Sequence, residues 1–436
     1  MGARAAALRI LAGSEQGTAL SDGLLEDAAA SLPNPADRGL LKELVAGVLR
    51  HRSRLDWTLD GSLTKGVASL TVWERNNLRL GLYQVAFLDR VPQFAAVDEA
   101  VKLAKRFGRR GTIGLTNAVL RDIIRKRAWA KPLDIADSYA RLAVEHSHPE
   151  WLVQRWADQL GMAQAAALLA ADNRPAPLTI RANRLKTTVD GLLNTLAASD
   201  YAPRRNPLAA TALDIGAPGD LLRSQPFRQG LFYVQDAAAQ VTSSLARIDQ
   251  DGTALDLCAA PGGKLSALAE AAPGATLVGA DIGLAKLARL RQNLRRLGIG
   301  GVALVCADTA ALAARRPFDL VLVDAPCSGL GVLRRRLDLR WRIAADDIAR
   351  LAELQRRILD NAARLVKPGG RIVYSTCTLT PEENEEQVAQ FLGGHREFSL
   401  AAPDLPAAMV TDCCLYLWPH RHGADGAFAA CLTKAN

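Results

Sequence analysis

Cys327 and Cys377 stand apart among the seven cysteines, because each sits in a polar, turn-forming stretch while the other five lie in or beside apolar runs. Cys327 belongs to Asp324-Ala-Pro-Cys-Ser-Gly-Leu-Gly331 and Cys377 to Tyr374-Ser-Thr-Cys-Thr378. A thiolate is a nucleophile suited to covalent catalysis, and a second group beside it can assist the proton transfers that such a reaction needs. One cysteine in each of two strand-end loops supplies both parts, and spacing leaves open which of them attacks. Asp324 adds a carboxylate at the same strand end.

A second stretch, Ala254-Leu-Asp-Leu-Cys-Ala-Ala-Pro-Gly-Gly-Lys264, is an apolar run that meets Asp256 and turns through a glycine pair into a helical pattern. Adjacent glycines let the backbone approach a ligand closely, and the N–H groups of the helix start favour a polar or anionic group. Asp281 follows a second apolar run, 275–280, at the position where doubly wound folds hold ribose hydroxyls. An adenosine-containing cofactor is therefore expected. The loop is not G-x-G-x-x-G and offers no glycine seat for a pyrophosphate, so S-adenosylmethionine fits it better than a dinucleotide.

The elements that must position these residues alternate from residue 246 onward. Strand-like runs at 254–257, 276–280, 302–305, 319–323 and 371–374 are separated by helix-like ones at 265–270, 284–297 and 348–365. That order implies a parallel, doubly wound sheet whose carboxyl ends collect Asp256, Asp281, Asp308, Asp324 and 375–378 on one rim. Runs 414–418 and 427–432 add an antiparallel hairpin. Residues 1–131 are helical throughout, with core stripes at Leu40, Leu41, Leu44, Val45, Val48 and Leu49 and at Val97, Val101, Ala104 and Phe107. Between them, 138–245 reads as a small α+β connector with a strand at 178–182 and a helix at 188–198. Ser147-His-Pro-Glu150 has the spacing of a capping box with Ser147 as N-cap, and Trp151 and Trp156 read as packing anchors. The chain is thus multidomain: all-α (1–131), an α+β connector (138–245), and a C-terminal α/β doubly wound, Rossmann-like domain (246–436).

The net charge of +9 is concentrated at one end. Residues 1–131 hold 21 Lys and Arg against 13 Asp and Glu, and 102–131 alone hold ten basic residues and one acid, Asp122. Such a segment is expected to contact a polyanion. An odd number of cysteines without C-x-x-C argues against a disulfide framework and a zinc site, so no metal is expected. Cys258, Cys306, Cys413, Cys414 and Cys431 read as small buried hydrophobes. No apolar run approaches the ~20 residues that cross a bilayer, and a cytoplasmic protein is expected.

Asp256-Leu-Cys-Ala-Ala-Pro-Gly-Gly-Lys264, Asp324-Ala-Pro-Cys-Ser-Gly-Leu-Gly331 and Tyr374-Ser-Thr-Cys-Thr378, in this order, resemble the motifs of the RNA 5-methylcytosine methyltransferase family. Residues 1–131 resemble the NusB-type RNA-binding domain that part of that family carries. The resemblance implies a monomeric enzyme that moves a methyl group from S-adenosylmethionine to carbon 5 of a cytosine in 16S ribosomal RNA. Carbon 5 is too weak a nucleophile to take the methyl directly, and a thiolate added at carbon 6 concentrates electron density there. By resemblance Cys377 attacks, Cys327 assists proton removal and release, and Asp324 holds the cytosine edge. DNA cytosine methyltransferases attack from a Pro-Cys motif, which here would be Pro326-Cys327. The resemblance also implies that Cys258, Ala259, Ala260, Pro261, Gly262, Gly263, Lys264, Asp281, Asp308 and Asp324 line the cofactor site, with the connector facing RNA. Arg334-Arg-Arg336, Arg340 and Arg342 are suited to substrate phosphates. A transfer RNA or another RNA as substrate, and a non-catalytic NusB-like RNA-binding factor, are the alternatives.

Overall fold

In the computed structural model, which describes residues 2–18 and 22–436, the apolar stripes of the N-terminal third become helices. Ala3–Glu15, Pro35–Arg50, Val72–Phe87, Gln93–Phe107 and Thr112–Lys126 bury Leu8, Leu44, Val48, Leu82 and Leu120 in one core. Their starts follow from local chemistry. The Asn34 side chain accepts from the Ala36 N–H ahead of Pro35, and Thr71 with Glu74 forms a reciprocal capping box. Gly47 allows close helix approach, since a Cβ there would lie 1.9 Å from the Tyr83 ring.

These helices belong to the first of two units, Met1–Arg174 with Arg335–Arg342; the second comprises Pro175–Arg334 with Ile343–Asn436. Helices Ser138–Glu145, Glu150–Leu160 and Met162–Asp172 therefore group with the N-terminal helices. Trp156 is fully buried, as an anchor should be. The expected cap at Ser147 is not formed. Ser147 has φ +57°, its Oγ accepts from the Ser53 N–H at 2.8 Å, and Pro149 stands at the N-cap of Glu150–Leu160. The His148 N–H instead closes the preceding helix on Ala143 O at 3.0 Å, which turns Ser147 away from the following one.

The second unit carries two sheets. Strands β1 (Leu178–Ala182), β2 (Pro203–Arg205), β3 (Ala212–Ile215) and β4 (Phe232–Val234) form an antiparallel sheet in the order β2-β3-β1-β4. Its core joins Ile180, Leu213 and Phe232 to Leu192 and Leu196 of helix Val189–Ala197, whose N-terminus is capped by Thr188.

The larger sheet has nine strands among the described residues. Its parallel part comprises β5 (Thr253–Asp256), β6 (Thr276–Asp281), β7 (Ala303–Cys306), β8 (Phe318–Asp324) and β9 (Val366–Thr376). They lie in the order β9-β8-β5-β6-β7, so the chain leaves β5 toward both edges and creates a switch point there. Alternate residues face opposite layers: Leu320 and Leu322 join one core, Val321 and Val323 the other. After β9 come β10 (Phe398–Ala401), β11 (Val410–Thr411), β12 (Cys414–Leu417) and β13 (Ala427–Lys434). The expected hairpin is β12 with β13, and β13 pairs antiparallel with β9.

Two cysteines depart from expectation. Cys306 and Cys413 are exposed, because Cys306 ends the edge strand β7 and Cys413 sits in the tight turn between β11 and β12 at φ +60°.

Phe428 supports the sheet beside the cysteine loop: it is fully buried, faces Thr376 across β9 and meets the Tyr374 and Tyr416 rings edge-on. Phe428→Ala is expected to lower the unfolding free energy by about 3 to 5 kcal/mol, read from urea denaturation; a loss under about 1 kcal/mol would contradict this role.

Candidate active site

Every chemistry-bearing loop of the second unit leaves the carboxyl end of a parallel strand. β5 leads into 257–262 and helix Gly263–Ala271, β6 ends on Asp281, β8 ends on Asp324, and β9 runs into Cys377. In the register Asp324 faces Ser375 and Asp256 faces Leu322. The rim inferred from the alternation of strands and helices is therefore formed.

Its centre is a pair of thiols. Cys327 Sγ and Cys377 Sγ are 3.3 Å apart, and the Cys377 N–H points at Cys327 Sγ at 3.4 Å. The hydrogen bond with Cys377, burial and the nearby Glu383 charge push the Cys327 thiol well above its ordinary pKa. The Cys377 carbonyl accepts from the Gly331 N–H at 3.0 Å, and a Cβ on Gly331 would lie 2.7 Å from that oxygen. Only glycine fits there, which explains the last residue of the 324–331 stretch.

Beside the thiols lies an ion pair, Lys264 Nζ to Asp324 Oδ1 at 2.7 Å, and Ser375 Oγ donates to the same oxygen at 3.1 Å. Burial works against the charge of Lys264, but Asp324 outweighs it, aided by Cys377 and Asp256, and the lysine pKa is raised. Asp256 behaves oppositely. Burial and the Asp324 charge push it up to about 7, although the Cys258 N–H donates to it at 3.1 Å.

A cavity of about 240 Å³ is lined by Cys258, Ala259, Ala260, Pro261, Gly262, Gly263 and Lys264 together with Asp256, Asp324 and 233–236. Gly262 has φ +109°, a conformation that favours glycine, and ends the loop at the helix start. Asp281 and Asp308 do not line that cavity. Asp281 accepts from the Gly283 and Ala260 N–H groups at 3.1 and 3.4 Å, tying the β6 end to the glycine loop. Asp308 is exposed and accepts from the Ala310 N–H at 3.0 Å. Cys258 is a wall of the site, its thiol pushed up by burial and by Asp256.

The arginine tract does not form the phosphate strip expected of it. Arg334 is buried between Asp236 and Asp425, at 3.3 and 2.5 Å. Arg340 is fully buried in the first unit, donating to Ser147 O, Asn173 Oδ1 and Asp172 O. Arg342 pairs with Asp338 at 2.8 Å and Arg336 reaches the same carboxylate at 3.7 Å. A cluster of cations in sequence reads as surface, whereas internal acceptors claim its two buried members.

Other contributors are not evident from the local sequence. Arg181 of β1, 3% exposed, donates to Gly263 O at 2.6 Å, Ser266 Oγ at 2.8 Å and Glu270 Oε1 at 2.7 Å, bracing the glycine loop's helix from the smaller sheet. Asn384 accepts from Thr376 Oγ1 at 2.6 Å and donates to Thr378 O at 3.2 Å, holding both sides of Cys377. The one signal for Asn384 is its place in a polar run, 380–384, directly after the cysteine motif.

Comparison with known proteins gives three matching family models. Residues 244–433 match the model described as 16S rRNA methyltransferase RsmB/F, residues 1–125 the NusB family, and residues 148–221 an RsmF/B-like ferredoxin-like domain. The chain is 36% identical to the probable ribosomal RNA small subunit methyltransferase B of Bacillus subtilis, over 98% of each chain. It is 37% identical to the ribosomal RNA small subunit methyltransferase B of Sodalis glossinidius, over 91% of this chain and 90% of that one. A methyltransferase homolog from Pyrococcus horikoshii superposes with a TM-score of 0.61 at 28% identity, covering 69% of this chain and 100% of its own. A further crystal structure aligns over 100% of this chain and 99% of its own, with a TM-score of 0.84 at 26% identity.

The raised pKa of Asp256 sets a pH dependence of stability. Between its ordinary value of 3.8 and about 7 the folded state holds a proton that the unfolded state releases, so stability falls as pH rises through that window and levels off above it. Asp256→Asn is expected to flatten this slope by an amount on the order of 4 kcal/mol between pH 4 and 7. Urea denaturation of both forms across that range measures it, and parallel curves would contradict the raised value.

Proposed function

Because the chain belongs to the 16S rRNA methyltransferase RsmB/F family, we propose that it transfers a methyl group from S-adenosylmethionine to carbon 5 of a cytosine in 16S ribosomal RNA. The observation that carries this reading is the thiol pair at 3.3 Å, flanked by the Lys264–Asp324 ion pair.

S-adenosylmethionine, when bound, supplies an electrophilic methyl group on a sulfonium sulfur. The residues of 258–264 suit it, with a left-handed glycine at a helix start whose first N–H groups have no intrahelical partner. Asp281 would accept from the ribose hydroxyls, with Asp308 and Asp324 on the same rim.

Cys377, having given its proton to solvent, adds its thiolate sulfur to carbon 6 of the cytosine, the electrons of the carbon 5–carbon 6 double bond move onto carbon 5, and carbon 5 would take the methyl group as its bond to the sulfonium sulfur breaks, leaving a neutral thioether. Asp324 meets the ring edge at N3 and N4, where charge develops during the attack. Cys327 is held as a thiol chiefly by its hydrogen bond with Cys377, a bond that ends once Cys377 sulfur is committed to carbon 6. It is then freer to lose its proton and to assist removal of the hydrogen from carbon 5, after which the carbon–sulfur bond breaks and Cys377 returns.

RNA is engaged in part by the basic N-terminal segment, since all ten basic residues of 102–131 are exposed. The proposed setting is the cytoplasm; no described helix is long and apolar enough to cross a membrane. Replacing several of these cations with glutamine is expected to weaken RNA binding and to reduce the log-log salt slope by about one for each phosphate no longer neutralised, with cofactor affinity unchanged. An unaltered slope would leave the segment as a solvated face.

The cysteines divide the reaction by order of steps. Cys377→Ala is expected to be inactive and to leave the RNA free, whereas Cys327→Ala attacks, transfers the methyl and stalls as a protein–RNA adduct that survives a denaturing gel. An adduct with Cys377→Ala and none with Cys327→Ala would reverse the two roles.

A further inference from the structure

We propose that Glu383 is the positioning residue of the cysteine pair, a buried carboxylate that clamps the loop of Cys327 to the loop of Cys377. The proposal rests on the cysteine chemistry above and deepens it.

Glu383 is fully buried in the turn Pro381–Glu383, and its carboxylate takes four neutral donors. Oε1 accepts from the Ser328 N–H at 2.8 Å and from Gln355 Nε2 at 2.9 Å. Oε2 accepts from Ser328 Oγ at 2.5 Å and from Thr380 Oγ1 at 2.7 Å. A carboxylate is an acceptor with about four lone-pair sites, so this set fills it and offsets the cost of burying its charge.

What these donors belong to gives the clamp its function. Ser328 follows Cys327, and Gln355 Nε2 also reaches the carbonyl of Pro326, which precedes it, at 2.9 Å. Both neighbours of Cys327 are thereby tied to one anion. Ser328 Oγ lies 2.7 Å from Thr378 Oγ1, the residue after Cys377, and Thr380 continues the same loop. Tyr374 Oη, from the strand that leads into Cys377, donates to the Glu383 carbonyl at 2.7 Å. Glu383 thus acts through residues on either side of the two sulfurs. A reacting group displaced by about 1 Å can lose on the order of a hundredfold in rate, which is the leverage such a clamp has.

Disulfide formation between Cys327 and Cys377 under oxidised glutathione reports the pairing of the sulfurs with neither RNA nor cofactor present. The two thiols lose two protons and two electrons, and the oxidised glutathione is reduced to two thiols. Glu383→Gln keeps an acceptor for Ser328 N–H and Gln355, and its amide can donate to the Ser328 and Thr380 hydroxyls once these rotate. It should therefore cross-link and methylate close to the rate of the native chain. Glu383→Ala leaves buried donors without an acceptor and should cross-link about tenfold more slowly or worse, with kcat for methylation falling in step and the cofactor KM unchanged. If Glu383→Ala does not fold, Ser328→Ala, which deletes the hydroxyl between Glu383 and Thr378, should show the same slowing in smaller measure. Native-rate cross-linking in the variant that folds, or Glu383→Gln as slow as Glu383→Ala, would overturn the clamp. A native chain that cross-links but never methylates RNA would instead sink the proposed function and leave the clamp standing.

Discussion

Strands β8 and β9 run parallel with Asp324 opposite Ser375, and the rest of the site depends on that register. Neighbouring strands lie roughly 4.8 Å apart, so two loops that leave them side by side bring residues a few positions further on into contact. Cys327 and Cys377 are such residues, and their sulfurs meet at 3.3 Å. A slip of one residue would turn every side chain of one strand to the opposite layer. Burial on both faces prevents it: Val321 and Val323 join one core with Tyr374, while Leu320 and Leu322 join the other with Val373. The antiparallel β13 backs β9 from the far side, which makes the C-terminal hairpin part of the machinery that sets the thiol distance.

The electrostatics follow from the same convergence. A switch point at β5 collects Asp256, Asp281 and Asp324 at neighbouring strand ends; Lys264 lines the cavity beside Asp256 and Asp324, whereas Lys286 lies 3.7 Å from Asp281. Asp324 takes the lysine at 2.7 Å, and Asp256, buried and facing the Asp324 charge, is raised to about 7. Asp324 holds Lys264, and Asp256 accepts from the Cys258 N–H at the start of the glycine loop.

Much of this is legible in the sequence because it is carried by short-range signals. Short apolar runs between amphipathic helices mark the parallel strands to within a few residues, and turn chemistry marks the loops: Gly262 at φ +109° stands where a glycine pair ends the first strand's loop. What stays hidden is long-range. Arg340 and Arg334 read as surface cations because nothing local to them reveals acceptors over 150 or about 90 residues away. Ser147 has the spacing of a cap, but a hydrogen bond from Ser53, 94 positions earlier, claims its hydroxyl. Arg181 and Glu383 sit in stretches whose local pattern explains them without any role. Their partners lie up to 89 and 55 positions distant, and only the folded sheet brings those together.

These converged groups are proposed to methylate carbon 5 of a cytosine in small-subunit ribosomal RNA. The most direct measurement incubates the purified chain with S-adenosylmethionine labelled in its methyl group and unmodified 16S ribosomal RNA, then digests the RNA to nucleosides for chromatography. The label is expected to run as 5-methylcytidine and to be confined to one cytosine when the RNA is mapped by bisulfite. Label in a different nucleoside, or none in the RNA, would contradict it.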